Sequence, residues 1–376
     1  MGITAKGITF PNLRSRLLVG RMFRRQYILP EPPPRWMSMC LKWYERAALD
    51  IDLTDVHVDR PVFVIGLPRS GTSLLQEILC AHPMAAYVTN AMNSCRESMC
   101  GIEHVRKRFE LNARGERYLK DSVEVEAGSP ADAVAFWGEL LHEDPGSLEY
   151  VERTAADYSR ADRARIGDAV RRVLWCFGGA GRRLVTKSPG LLVHIGLLRE
   201  LCPGARFIHI VRDPRMTANS MIKLYRRDNE QLTRIRGRRR HAVLGDASFV
   251  PYPRVPCLRE CVHRFGADDI RTTANVWRDG VEMIRAEGAR GAALCEVRYE
   301  DLLADPHGET MRLLEFCELT CSDDVRERIR TRLATVGQVH HQNDYGQFDV
   351  VESICHAGML HYGYGGTDQP AGTRER

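Results

Sequence analysis

Residues 60–79, Arg-Pro-Val-Phe-Val-Ile-Gly-Leu-Pro-Arg-Ser-Gly-Thr-Ser-Leu-Leu-Gln-Glu-Ile-Leu, restrict the fold of this chain more than any other stretch. Val62–Ile65 is an unbroken apolar run, as expected of a strand buried on both faces. Residues 66–71 hold Gly, Pro and Ser and predict a loop. Thr72, Ser73, Leu74, Leu75, Ile78 and Leu79 then open an amphipathic helix. Strand, glycine-bounded loop and helix in that order build an anion cradle. Backbone N–H groups of the loop and of the helix N-terminus point at one spot, and the helix dipole favours negative charge there.

The spacing is that of a P-loop, with four residues between Gly66 and Gly71. The residues after the second glycine depart from that pattern. A nucleoside-triphosphate loop continues with Lys and a hydroxyl residue, whereas Thr72 and Ser73 come after Gly71 here, and the cation, Arg69, lies inside the loop. Two hydroxyls and a cradle without that Lys suit an anion needing less neutralisation than a triphosphate, such as the sulfuryl group of a phosphosulfate. The glycine spacing alone fits an ordinary strand-to-helix turn. Pro68-Arg69-Ser70-Gly71-Thr72-Ser73, set between a buried strand and a helix, argues against so plain a reading.

Pro68-Arg69-Ser70-Gly71-Thr72 resembles the 5′-phosphosulfate loop of the sulfotransferases that use 3′-phosphoadenosine 5′-phosphosulfate (PAPS). Its form is most similar to the bacterial, carbohydrate and tyrosylprotein branches. Cytosolic members usually carry Lys in place of Arg69. The resemblance implies that Arg69, Ser70, Gly71, Thr72 and Ser73 bind the cofactor, and that Arg69 also acts in catalysis.

Further along, residues 184–186 predict a second buried strand, with Lys187-Ser188-Pro189 at its C-terminal end, where ligands bind in open α/β sheets. Lys187 is thereby placed to reach the anion that Arg69 reaches, although a Lys at a strand end can also simply face water. The Thr-Lys-Ser-Pro run resembles the setting of the catalytic lysine in tyrosylprotein-type sulfotransferases. Residues 207–211 predict a third strand, with His209 as a core histidine, ended by Arg212-Asp213-Pro214. A helix over 216–225 carries Ser220. A Pro-initiated helix doubles back beside its strand, so Arg212 and Ser220 can grip one phosphate. In the family an Arg and a Ser at this spacing hold the 3′-phosphate of PAPS. A Walker-B reading of Asp213 for Mg²⁺ is disfavoured by the cation at Arg212 directly before it. Tyr299, after a strand over 294–298, resembles the family's adenosine-pocket tyrosine. A plain strand end followed by a helix cap explains Tyr299 equally well without the other motifs.

The family often supplies a glutamate base in the segment after His82-Pro83. Here that place reads Tyr87-Val88-Thr89-Asn90, a departure, since neither Thr89 nor Asn90 takes up a proton near neutral pH. Glu97, Glu103 and His104 are the nearby titratable groups, each more often a solvated helix residue than a base, so the base is unassigned. Residues 84–130 are poorly patterned and expected to lie over the mouth of the cradle.

The 376 residues divide into a basic helical extension (1–59), an α/β domain (60–350) and a tail (351–376). A basic insert or lid (226–265) lies within the domain. Residues 1–30 carry Lys6, Arg14, Arg16, Arg21, Arg24 and Arg25 and no acid, with Leu13, Leu17, Leu18, Met22 and Phe23 at roughly helical spacing. Such a helix suits peripheral contact with an anionic membrane; a helix packed on the main domain is the favoured reading. Residues 339–364 are rich in His, Tyr and Gly; in the family a C-terminal loop closes over the nucleotide, and this stretch is positioned to do so, with no residue in it assigned. A net charge of +5 suits an anionic cofactor but is too weak to argue for nucleic acid. The twelve cysteines are scattered without a Cys-x-x-Cys, which points to a reducing cytoplasm. Cys257, Cys261 and His263 lack a fourth ligand for zinc.

The expected architecture is therefore a P-loop-like, three-layer α/β fold with a mostly parallel central sheet and helices on both faces. The resemblance implies sulfuryl transfer from PAPS, without a metal, to a hydroxyl or amine of a small-molecule or glycan acceptor. Two alternatives stay open: a Mg²⁺-dependent small-molecule kinase and a nucleotide-binding module without catalysis.

Overall fold

A computed structural model describes residues 3–5, 8–20, 33–116, 124–236, 250–333 and 345–365. In chain order the strands are β1 (Ile3–Ala5), β2 (Ile8–Phe10), β3 (Val62–Ile65), β4 (Ala85–Ala86), β5 (Arg114–Glu116), β6 (Glu124–Glu126), β7 (Arg183–Lys187), β8 (Arg206–Val211) and β9 (Leu294–Arg298). Five of them form one sheet in the order β4-β7-β3-β8-β9, and every pairing in it is parallel. β3 is the central strand, and the chain winds outward from it in both directions. It is the switch point, so the loops leaving β3, β7 and β8 open at one edge.

The apolar runs explain the layering. Alternate residues of a strand face opposite sides. Phe63, Ile65, Leu184, Phe207 and Val211 join a large core on one face, while Val62, Val64, Val185, Ile208 and Ile210 join a second core on the other. Helices Val134–Leu140, Arg160–Cys176, Ile195–Leu201 and Ile270–Ala289 cover the first face. Thr72–Cys80, Pro306–Phe316 and Asp323–Leu333 cover the second. Phe63 stacks on Phe207 with ring centroids 5.3 Å apart and meets Trp137 at 5.7 Å, which ties the central strands to the helix Val134–Leu140. Each such pair contributes about 0.5–1.5 kcal/mol beyond its area burial.

Three expectations change. The basic N-terminus is not one amphipathic helix: β1 and β2 form a hairpin, followed by a short helix Leu13–Leu18. Together with β5 and β6 the hairpin makes a four-stranded antiparallel sheet. Ile3-Thr4-Ala5 and Ile8-Thr9-Phe10 are short β-branched alternations, and the cluster of cations after them obscures that period. Residues 21–32, with Arg21, Arg24 and Arg25, lie outside the described residues. Secondly, the helix bearing Ser220 runs from Pro214 to Arg236, well beyond 225 and into the basic insert. Its apolar stripe fades there, but Arg, Glu and Gln are strong helix formers and continue it. The rest of the insert holds helix Leu258–Phe265, and residues 237–249 lie outside the described residues. Thirdly, the expected division at 350 falls inside the helix Phe348–His361, which packs on helix Ile270–Ala289. A Cβ on Gly358 would lie 2.7 Å from the ring of Trp277, so only glycine permits that contact.

One ionic cluster fastens this last helix to the sheet. His209, fully buried in β8, pairs through Nδ1 with Glu296 Oε1 of β9 at 3.0 Å, and the Tyr362 hydroxyl donates to the same carboxylate. Burial alone would push the Glu296 carboxyl up. The hydrogen bonds from His209 and Tyr362, with the charge on His209, outweigh that and hold it below the ordinary carboxylate value. A carboxyl whose folded value is depressed stabilises the fold above its unfolded value and loses that contribution as pH falls through the folded one. In thermal melts below about pH 4.5, where an unfolded glutamate titrates, Glu296→Gln is therefore expected to lose less stability per pH unit than wild type. Parallel curves for the two proteins would contradict this account.

Candidate active site

The cradle is built by backbone geometry that glycine makes possible. Gly66 has φ +153°, and a Cβ there would lie 2.5 Å from the carbonyl oxygen of Ile210 in β8. The loop therefore passes directly against the neighbouring strand. Gly71, at φ +95°, is the N-cap of helix Thr72–Cys80 and brings no capping side chain. The first amides of that helix have no partner within the helix itself and converge on the loop. Arg69, a non-glycine residue, holds φ +74°, the strained conformation often found where a turn serves a ligand. Ser70 Oγ is buried and has no hydrogen-bond partner among the described residues. An orphaned buried hydroxyl beside open helix amides fits an absent anion.

The end of β8 supplies the second group. Arg212 Nη1 donates to the carbonyl oxygen of Arg69 at 3.2 Å, and its guanidinium lies 4.6 Å from the ring centroid of Tyr299, the residue after β9. From the helix that follows Pro214, Ser220 Oγ accepts from Arg69 Nε at 3.0 Å. Hence Arg69, Arg212, Ser220 and Tyr299, drawn from four parts of the chain, meet at the cradle. The ring of Tyr299 lies so close to Gly71 that a Cβ on that glycine would be 2.4 Å from the ring. The Trp277 indole donates to the Arg212 carbonyl at 3.2 Å and fixes the strand end from beneath.

β7 supplies the third group. Lys187 is only 3% exposed, and its Nζ donates to Ser73 Oγ at 2.9 Å. The same ammonium pairs with Asp132, whose side chain is 34% exposed. The segment carrying Asp132 is pinned on three sides: Ala131 N donates to Val88 O, Gln76 Nε2 donates to Ala131 O, and Ala133 N donates to Lys187 O. No local motif marks Asp132 as a site residue, because Pro130-Ala131-Asp132 is an ordinary lead-in to an apolar helix. The cap position is in fact Ala133, which leaves the aspartate for the lysine.

The three titratable groups weighed as bases are engaged elsewhere. Glu97 pairs with Lys42 at 2.6 Å. Glu103 is buried, accepts from Thr89 Oγ1 at 3.1 Å and pairs with Arg106. His104 packs against the ring of Tyr44 at 5.8 Å. Asn90 donates to Glu126 O and to Ser129, and so acts as a loop tie.

A set of supports the motifs did not reveal comes from the C-terminal part. Asn219 exchanges hydrogen bonds with the backbone of Gly346, and Lys223 lies 4.6 Å from the Tyr345 ring centroid. Glu300 accepts from Asp213 N at 3.2 Å and from the Tyr364 hydroxyl at 2.7 Å. Burial, with the charge of Glu300 beside it, pushes the Tyr364 phenol up, so it stays a hydrogen-bond donor at neutral pH. The C-terminal part thus braces the turn that carries Arg212. Among the described residues no three His, Cys, Asp or Glu side chains converge as metal ligands.

Comparison with known proteins shows the family and the fold. The profile of the sulfotransferase family matches residues 61–323, more than half of the chain. A protein-tyrosine sulfotransferase A from Caenorhabditis elegans is 24% identical over 267 residues, 70% of this chain. The chain spans about half (51%) of that relative's length. The omega-hydroxy-beta-dihydromenaquinone-9 sulfotransferase Stf3 of Mycobacterium bovis is 25% identical over 314 residues, 79% of this chain and 73% of that one. The crystal structure of the sulfotransferase STF9 from Mycobacterium avium shares the fold at a TM-score of 0.54 and 16% identity, over 95% of this chain and 87% of that one.

Two glycine substitutions separate the cradle from ordinary helix propensity. Gly71→Ala is expected to cost about 2 kcal/mol or more in thermal or chemical unfolding, from the ring clash and the positive φ. Gly167→Ala, inside helix Arg160–Cys176 where a Cβ meets nothing within 4 Å, is expected to stabilise by about 0.5–1 kcal/mol. Equal effects would show that the close approach at Gly71 does not matter.

Proposed function

This chain belongs to the sulfotransferase family, and on that premise we propose that it moves the sulfuryl group of PAPS to an acceptor hydroxyl. The observation that supports this most is the meeting of two anion grips, the cradle and the Arg212–Ser220 pair, joined through Arg69. A nucleotide with phosphates at both its 5′ and 3′ positions presents an anion to each. The names of two relatives identify a tyrosine and an omega-hydroxyl as their acceptors, and both are hydroxyls. We therefore favour a hydroxyl over an amine here, on a small-molecule, protein or glycan acceptor. All twelve cysteines are free thiols, which supports a cytoplasmic setting. No helix among the described residues is long and apolar enough to cross a membrane. Residues 60–350, with the attached helix Phe348–His361, form the catalytic unit in this reading.

The roles follow from position. Amides of residues 70–73 and the Arg69 side chain hold the 5′-phosphosulfate. Arg212 and Ser220 hold the 3′-phosphate, and Tyr299 lies beside them as a wall for the nucleoside. The acceptor oxygen forms a bond to sulfur as the bond from sulfur to the bridging oxygen breaks, and adenosine 3′,5′-bisphosphate leaves. By analogy with phosphoryl transfer, the protein's tasks are alignment and charge stabilisation. Lys187, buried at the cradle, stabilises charge growing on the bridging oxygen. Sulfuryl oxygens carry less charge than phosphoryl oxygens, so Arg69 and Lys187 take the place a metal holds in kinases. We assign the acceptor's proton to Asp132. A carboxylate has about four acceptor sites, so it can hold Lys187 and still receive a hydroxyl proton.

Calorimetric titration with adenosine 3′,5′-bisphosphate and with ATP, each with and without Mg²⁺, tests the cofactor assignment. Metal-independent preference for the bisphosphate is expected, and a Mg²⁺-dependent preference for ATP would favour the kinase reading instead. Arg212→Ala should weaken bisphosphate binding by about 30-fold or more, the loss of one buried charged contact. Lys187→Ala should lower kcat by about 100-fold or more while leaving bisphosphate binding within about threefold. Sulfate transfer from labelled PAPS, measured over a panel of hydroxyl acceptors, distinguishes an enzyme from a binding module.

Asp132→Asn should likewise lower kcat by about 100-fold or more, again with bisphosphate binding retained. If Asp132 receives the proton, added formate should restore part of the activity of Asp132→Ala. Near-wild-type turnover in Asp132→Asn would remove it from the chemistry.

A further inference from the structure

The helix Arg35–Ala48 has two apolar faces, and the fold uses only one. Met37 and Leu41 are buried with Ala91, Cys95 and Ile102, and Glu45 Oε1 accepts from Gly101 N at 2.7 Å on the same side. On the outer side Trp36, Met39 and Trp43 recur at helical spacing and are 64%, 69% and 70% exposed. The neighbouring helix Leu13–Leu18 packs Leu18 into the same cluster and leaves Leu13 and Leu17 exposed. Five of the ten exposed large hydrophobics among the described residues thus fall within residues 13–43. Single exposed apolar residues are ordinary, but a concentration of this kind marks an interaction surface.

Charge selects the occupant. Arg35 and Arg46 share one line along the helix beside the tryptophans, by their spacing of eleven, with Lys42 between them paired to Glu97. Arg14 and Arg16 on the neighbouring helix Leu13–Leu18 add two more cations. An isologous contact with a second copy would set these rows of cations against each other, at a cost. An anionic bilayer complements them. Tryptophan rings prefer the headgroup level, and each cation near an anionic surface adds to the attraction. The inner face stays anchored to the domain, so the helix lies in the plane of the interface and does not cross it.

We propose that the outer face of helix Arg35–Ala48 docks the protein on an anionic lipid surface, with Trp36, Met39 and Trp43 entering the headgroup layer. This goes beyond the sulfuryl-transfer reading and does not depend on it.

Flotation of the purified full chain with phosphatidylcholine vesicles, with and without phosphatidylglycerol, tests it. Binding to the phosphatidylglycerol vesicles is expected, with a blue shift of tryptophan emission and release by high salt. Trp36→Ser with Trp43→Ser should weaken that binding about tenfold or more, while bisphosphate affinity, as a control for folding, stays unchanged. Arg35→Glu with Arg46→Glu should weaken binding to the phosphatidylglycerol vesicles to a similar degree. Absence of vesicle binding by the wild-type chain would overturn the proposal. So would equal binding by the tryptophan variant. Sedimentation velocity showing a stable dimer that these tryptophan substitutions dissociate would also overturn it, by assigning the face to a second copy.

Discussion

The contact on which the site depends is between two pieces of backbone. Gly66 passes so close to Ile210 that the space of one methyl group is occupied by a carbonyl oxygen. This approach sets the end of β3 against the end of β8. It brings the Arg69 carbonyl within reach of the Arg212 guanidinium, and the Arg69 side chain within reach of Ser220. Without it the cradle and the phosphate grip would be separate loops on one sheet edge. The parallel order of the sheet, with β3 between β7 and β8, is what makes such an approach available.

Electrostatics then decide the chemistry. Arg69, Lys187 and Arg212 concentrate three positive charges at one edge of the sheet. Such a cluster is costly to bury alone and needs anionic or hydrogen-bonding partners. The protein supplies some of them: Asp132 and Ser73 for Lys187, Ser220 for Arg69, and the Tyr299 ring for Arg212. The buried hydroxyl of Ser70, without a partner among the described residues, and the first amides of helix Thr72–Cys80 suit an anion. In the proposed reading, a nucleotide carrying a 3′-phosphate and a 5′-phosphosulfate satisfies both sets. In the proposed reaction the aspartate paired with Lys187 takes the acceptor's proton.

How much of this could be read from the chain depends on the range of the interaction. Val62–Ile65, the loop 66–71 and the helix from Thr72 are local signals, and all three stand where the sequence places them. The strand at Leu294–Arg298 is also found as expected. Arg212 and Ser220 were legible because a strand, a proline and a helix fix their separation locally. The sheet β1-β2-β5-β6 was not legible: each of its strands is three residues long, and the two hairpins lie about a hundred residues apart. Asp132 was missed for a related reason. Its partner Lys187 is remote in sequence, and non-local bonds, among them the one from Ala133 N to Lys187 O, bring them together. The braces from Gly346 and Tyr364 are equally non-local.

The central claim is that residues 66–73 and residues 212–220 grip opposite ends of one nucleotide. Amide hydrogen exchange, followed by mass spectrometry with and without adenosine 3′,5′-bisphosphate, tests this most directly. Simultaneous slowing of exchange in peptides covering both segments, with one dependence on ligand concentration, is the predicted result. Slowing in one segment alone, or in neither at saturating ligand, would contradict it.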